Sequence, residues 1–154
     1  MHETRARVFP QPIFLRGAWV LIACVLLFGC GRNDPERELR AAIGQMASAI
    51  EQRKPTALLE HLAEDFTRES DAFGKRDVGR LLIGVLLRNE KITVSAAVTS
   101  VSITGDRART KVGVFATGRS GLLPERGHTW QFDAGWRREN GAWRVFNAEW
   151  REGI

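Results

Sequence analysis

The chain has 154 residues, 44% of them hydrophobic and 27% charged, with a formal net charge of +5. That is the length of one domain, and its charges are mixed in sign along the chain, so a nucleic-acid binder with its cations gathered in one patch is not expected. The only cysteines are Cys24 and Cys30, which excludes a disulfide framework in everything after residue 30.

The first element is an export signal. Residues 1 to 16 are polar and carry Arg5, Arg7 and Arg16, and Gly17 to Gly29 is an uncharged run of 13 residues. A membrane-crossing helix needs about 20 apolar residues, so this run has the length of a signal-peptide core instead. Arginines ahead of it direct the rest of the chain outward. With these residues and Glu3 set aside, the remainder carries +3. Leu27-Phe28-Gly29-Cys30 resembles the lipobox of bacterial lipoprotein precursors at Leu27, Gly29 and Cys30, and departs from it at Phe28. The resemblance implies cleavage before Cys30 and acylation of its thiol and new amine, and two or three chains anchor stably where one does not. A cleaved signal with a coincidental cysteine and an uncleaved anchor are the other readings of the same residues. All three place the domain outside the cytoplasm. In a Gram-negative envelope, Gly31 in place of an aspartate implies the periplasmic face of the outer membrane. The expected division is a signal peptide over 1–29, a lipidated cysteine and short tether over 30–34, and a folded domain over 35–154.

Asn33-Asp34-Pro35-Glu36 predicts a helix start: a polar cap, a proline at the first helical position and acid in the first turn. Leu39, Ala42, Ile43, Met46, Ala47 and Ile50 come next at steps of three and four, one buried stripe of about five turns. Pro55 starts a second helix with Leu58, Leu59 and Leu62 as its face, and Phe66 to Asp77 reads as a connecting loop. A third helix is predicted over 77–89. From Ile92 the pattern turns to alternation, and its phase slips between Val98 and Val101, which predicts a bulge that bends the strand. Gly105-Asp106 makes a turn, Ala108 to Ala116 forms the next strand, and the segment 118–127 reads as a loop. Trp130, Phe132, Ala134 and Trp136 share one face of a third strand, and Asn140-Gly141 turns it into a last strand over 142–151. Three helices followed by about four antiparallel strands make an α+β layer arrangement, a curved sheet around a cone.

That order is similar to the nuclear transport factor 2-like (NTF2-like) superfamily, also called SnoaL-like. The resemblance rests on the long first helix, on Leu58-Leu59-Glu60-His61-Leu62 before Asp65-Phe66, and on the closing hairpin with Gly141-x-Trp143-Arg144-Val145. It implies a cone-shaped domain in a superfamily that holds isomerases, cyclases, dehydratases and non-enzymatic binding modules. The tyrosine of ketosteroid-isomerase-like members has no counterpart, because the chain contains no tyrosine. A dehydratase-like His-Asp pair is open to His61 or His128 with Asp65 or Asp133.

Candidate chemistry is thin. His128 and Glu149 are the weak candidates for a catalytic base, and Trp130, Phe132, Trp136, Trp143, Asn147 and Glu149 are candidates for lining a pocket. Glu149 faces the cone if alternation from Trp143 continues; a bulge near Asn147 turns Ala148 and Trp150 inward and Glu149 outward. No metal or cofactor is expected, since HExxH, calcium-loop, phosphate-loop and nucleophile-elbow patterns are all missing. Expected partners are membrane lipid at Cys30 and a small apolar ligand or envelope protein. A homodimer through the sheet is a further expectation, and nucleic acid is not. The expected role is a non-catalytic binding domain, with a lyase or isomerase for a hydrophobic substrate and a structural dimerisation module as alternatives.

Overall fold

A computed structural model describes residues 34–68, 72–120, 123–124 and 127–153. The signal segment and Cys30 lie outside the described residues.

Helix α1 spans Pro35–Glu51, and Asp34 caps it by accepting the amides of Glu36 at 3.1 Å and Arg37 at 3.3 Å. Its apolar stripe is buried through Leu39, Ala42, Ile43 and Ala49. Helix α2, Pro55–Leu59, is a single turn that ends before Leu62. The chain then becomes a strand, β1 (Leu62–Arg68), which pairs in parallel with the last strand through Leu62 opposite Val145. The predicted helical face at Leu62 and the loop from Phe66 are both corrected by this. A parallel partner some eighty residues away, invisible to local pattern, decides the conformation. Helix α3 covers Lys75–Arg88, two residues earlier than expected, because Asp77 accepts the Gly74 amide at 2.9 Å and so serves the helix start from inside its first turn.

The remaining strands are β2 (Lys91–Thr104), β3 (Arg107–Ser120), β4 (Leu123–Pro124), β5 (His128–Glu139) and β6 (Ala142–Glu152). Their order is β1-β6-β5-β3-β2, with the two-residue β4 paired to β3 inside the predicted loop. The sheet is therefore mixed, not purely antiparallel, and has five long strands where about four were expected. The predicted bulge in β2 is present, as the register with β3 shifts between Val98 and Ser100. The β5–β6 turn has Asn140 at φ 49° and Gly141 at φ 81°, the left-handed pair that a two-residue hairpin requires.

One core joins the layers. Leu39, Ile43 and Leu58 from the helices meet Val112, Trp136, Trp143, Val145 and Ala148 from the sheet, with Phe66 of β1. Thr110 is the one wholly buried polar side chain among the described residues, and it accepts the Trp136 indole N–H at 2.9 Å. The bond satisfies a donor that a core site would otherwise strand.

A second bulge decides the faces of β6. Gly135 pairs with Asn147 while Trp136 pairs with Val145, so Phe146 is an extra residue with no partner across the ladder. A Cβ on Gly135 would lie 2.1 Å from Asn147 Oδ1 and 3.0 Å from the Phe146 ring, so the bulge needs glycine opposite it. Gly135→Val is expected to lower the unfolding free energy by about 1–3 kcal/mol through overpacking, while Gln131→Val on the exposed face of the same strand stays within about 0.5 kcal/mol. Denaturant unfolding of the two variants checks the difference.

Candidate functional site

The sheet has an inner face, covered by the helices, and an outer one. On β5 the inward residues are His128, Trp130, Phe132, Ala134 and Trp136, which stand opposite Ala116, Val114, Val112, Thr110 and Ala108 of β3. They differ sharply in surroundings. Trp136 and Trp143, expected to line a pocket, are 2% and 3% exposed and belong to the packed core. Arg138 stacks over the Trp143 ring at 4.6 Å and reaches Glu38 of α1 at 2.9 Å. Trp130 and Phe132 lie half-buried nearer the rim. There Phe132 stacks on Trp150 at 5.8 Å, and Phe73 meets Trp150 edge-on at 5.7 Å.

His128 stands at the end of the strand, stacked on Trp130 at 5.6 Å, with Nδ1 2.8 Å from Glu152 Oε1. Its side chain is 57% exposed, so this contact lies at the surface and not in a water-free cavity. Glu149 is corrected to the outer face. Beyond the Phe146 bulge, Ala148 is buried and Trp150 packs against the core, while Glu149 pairs with Arg68 at 3.1 Å. Asn147 sits in the bulge itself, opposite Gly135. The structure thus brings Phe132 and Trp150 together, and separates the two candidate bases onto different faces.

The open His-Asp pairing also resolves differently. Asp65 is gripped by Arg137 through two hydrogen bonds of 2.5 and 2.9 Å, and Asp133 lies 4.0 Å from Arg109. Arg137 also donates to Glu139 at 2.5 Å. Both partners raise its pKa, and its hydrogen bonds hold the Asp65 carboxyl below its ordinary 3.8. His61 is half-buried, and its pKa is pushed below 6.5 by burial and then by the nearby Arg144 charge. No cluster of metal-ligating side chains occurs among the described residues.

Two open hollows lie along the outer face. One, of about 370 Å³, is lined by Arg109, Lys111, Gln131, Asp133, Glu149 and Arg151, with Phe132 and Trp150. The other, of about 330 Å³, includes Ser102, Thr104, Arg107, Gly135 and Phe146. Arg107 lies over the Phe146 ring at 5.4 Å. Arg107, Arg109 and Lys111 alternate along β3 and make this face basic. Phe146 is on it by alternation from Trp143 and Val145, and the bulge adds Arg151.

No protein-family model and no curated protein matches the chain. Solved structures do. A conserved protein from Planctomyces limnophilus DSM 3776 has a TM-score of 0.68 at 19% identity, over 79% of this chain and 100% of that one. A ketosteroid isomerase-like protein from Erwinia carotovora atroseptica SCRI1043 has a TM-score of 0.61 at 14% identity, over 79% and 98%. A candidate dehydratase from the NTF2-like family of Streptomyces avermitilis has 0.64 at 17%, over 77% and 96%. The fold is NTF2-like. At these identities the likeness is one of fold alone, and an NTF2-like cone carries no activity without residues to perform it.

The Asp65–Arg137 pair makes a pH-dependent contribution that binds β1 to β5. The folded pKa of Asp65 lies below the unfolded value, so the contribution is complete above 3.8 and is lost as pH falls through the folded value. Asp65→Asn is expected to flatten the acid limb of stability in that window. Salt should shrink the difference, because the Asp65 side chain is 66% exposed. Denaturant midpoints measured from neutral pH to below 3.8, at low and high salt, check both.

Proposed function

We propose that the chain is an extracytoplasmic lipoprotein held at a membrane by acyl chains on Cys30, with a non-catalytic NTF2-like domain that binds a partner protein through the outer face of its sheet. The observation that carries the binding role is the contrast between the two faces. The inner face is filled by Trp136, Trp143, Val145 and Leu39, whereas the hollows and the cations Arg107, Arg109, Lys111 and Arg151 lie outside. A protein contact suits an open, polar surface with a few aromatic groups; a small apolar ligand needs an enclosed, mostly apolar cavity. A lyase or isomerase needs a base held within hydrogen-bonding reach of its substrate. His128 is in hydrogen-bonding contact with Glu152 at an exposed strand end, and Glu149 is ion-paired with Arg68. The membrane role is supported by the apolar run that ends at Cys30.

Two measurements test the two halves. The intact mass of the protein taken from its host membrane is expected to correspond to a chain beginning at Cys30 with two or three acyl groups. A chain beginning elsewhere, or without acyl mass, overturns the anchor. A photo-crosslinker replacing Lys111 in cells is expected to yield one discrete adduct with another protein, abolished by Arg109→Glu, while the same group at exposed Gln45 of α1 yields none. Equal labelling at both positions, or an adduct of two copies of this chain, overturns the partner reading.

A further inference from the structure

Four large apolar side chains stand exposed among the described residues, and three of them are on α3: Leu81 at 49%, Ile83 at 51% and Leu87 at 80%. Single exposed leucines are ordinary, but three on one short helix are not. The buried side of α3 is already used, since Leu86 is in the core layer and Val78 and Leu82 pack against it. Ile83 and Leu87 are four residues apart and share the solvent side with the exposed Arg76 and Arg80, while Leu81 and Arg88 lie to one flank. The helix is therefore apolar on both sides, and its outer side is apolar and basic together.

Its acids do not balance that charge. Asp77 is the only carboxylate on α3 and is committed to the Gly74 amide and to Arg80. Arg76 and Arg88 have no carboxylate partner among the described residues. A second copy docked on the same surface about a two-fold axis would bring these arginines against their own counterparts. An anionic bilayer supplies both missing complements: an acyl region shallow enough for side chains to reach, and phosphates for the guanidinium groups.

We infer that the solvent face of α3 is a membrane-docking surface, in which Leu81, Ile83 and Leu87 enter the headgroup boundary of an anionic bilayer and Arg76 and Arg88 contact its phosphates. The inference rests on the proposed lipid anchor, which brings the domain to a membrane. Chain lengths are compatible with it. From Cys30 to Asp34 the chain reaches at most about 14 Å, and α1 is about 25 Å long. The far end of α1 holds the end of α3, as Arg53 donates to the carbonyls of Leu86 at 2.7 Å and Asn89 at 2.6 Å.

The test uses the full chain isolated from host membranes, with Gly84→Cys labelled by an environment-sensitive fluorophore. A Cβ at residue 84 has room, its nearest neighbour being Arg88 Nη2 at 4.0 Å. The protein is reconstituted in vesicles of phosphatidylcholine and phosphatidylglycerol that contain a brominated phospholipid as quencher. The label is expected to shift to the blue and to be quenched, and a label at Ser95→Cys on the outer face is not. Ile83→Ser with Leu87→Ser, or Arg76→Glu with Arg88→Glu, is expected to bring quenching at residue 84 down to the level at residue 95. So is omission of phosphatidylglycerol. Equal quenching at the two positions overturns the inference, and so does a blue shift that grows with protein concentration without quenching, which would mark self-association. The mass of the labelled protein reports acylation separately. If Cys30 carries none, Cys24→Ser and Cys30→Ser are combined with Gly84→Cys so that only residue 84 is labelled, and vesicles added to that protein still decide whether α3 docks, so the anchor can fail without the surface failing.

Discussion

The placement of every side chain in the second half of β6 depends on one unpaired residue. Up to Val145 the inward positions are Trp143 and Val145; after Phe146 they are Ala148 and Trp150. Without the extra residue, strict alternation would aim Glu149 at a core of tryptophan and leucine, where an ionised carboxylate costs several kcal/mol unless a cation accompanies it. The bulge turns it outward, to Arg68. Gly135 is the condition for that turn, since the space a side chain would occupy is filled by Asn147 and Phe146. The same shift keeps Trp136 in register with Val145 and leaves its indole N–H aimed at Thr110. Core closure, the Trp136 hydrogen bond and the outward position of the acid are one geometric decision.

Closure of the core has a consequence for chemistry. A catalytic cone needs empty volume beside a titratable group, and the group needs a shifted pKa to work near neutrality. Here the perturbed groups are those held by ion pairs or by a capping bond: Asp65 and Arg137 joining β1 to β5, and Asp77 at the start of α3. Their shifts stabilise ionised forms, the direction that structural pairs produce. His61 moves the other way, but by burial near Arg144, with no carboxylate assigned to orient it.

Much of this arrangement was legible because it is local. The Asp34 cap, the stripe from Leu39 to Ile50, the β2 phase slip and the Asn140-Gly141 turn each depend on residues within a few positions of one another. What escaped was non-local. Leu62 to Arg68 buries Leu62, Ala63 and Phe66 but exposes Glu64 and Asp65, a spacing of three and four that reads as a helical face and not as strand alternation. It is a strand because β6 offers it an edge. Likewise, parity could offer two positions for Glu149 but not choose between them, because the choice rests on Gly135 across the ladder. The arginine partners of Asp65 and Asp133 were hidden for the same reason: Asp65 and Arg137 are 72 residues apart in sequence.

Net charge is the quantity that sequence describes least well. A balance of +3 after residue 29 suggests an even surface. In the fold, however, Glu38, Glu64 and Asp65 are drawn into ion pairs with arginine or lysine that tie one element to the next, and Glu139 pairs with Arg137 within β5. These pairs withdraw four acids together with three cations, Lys75, Arg137 and Arg138, so the sum hardly changes and the position of the remaining cations decides what a partner meets. They collect in two places, along β3 with Arg151 of β6, and along α3. The apolar side chains of the first surface are the aromatic rings of Phe146 and the exposed Phe115, whereas the second interleaves arginine with leucine and isoleucine. Charge alone attracts an acidic protein or an acidic bilayer equally well, but a bilayer also rewards burial of Leu81, Ile83 and Leu87, which stand half or more exposed among the described residues. That difference in apolar content, not in charge, is the ground on which we propose different partners for the two basic surfaces.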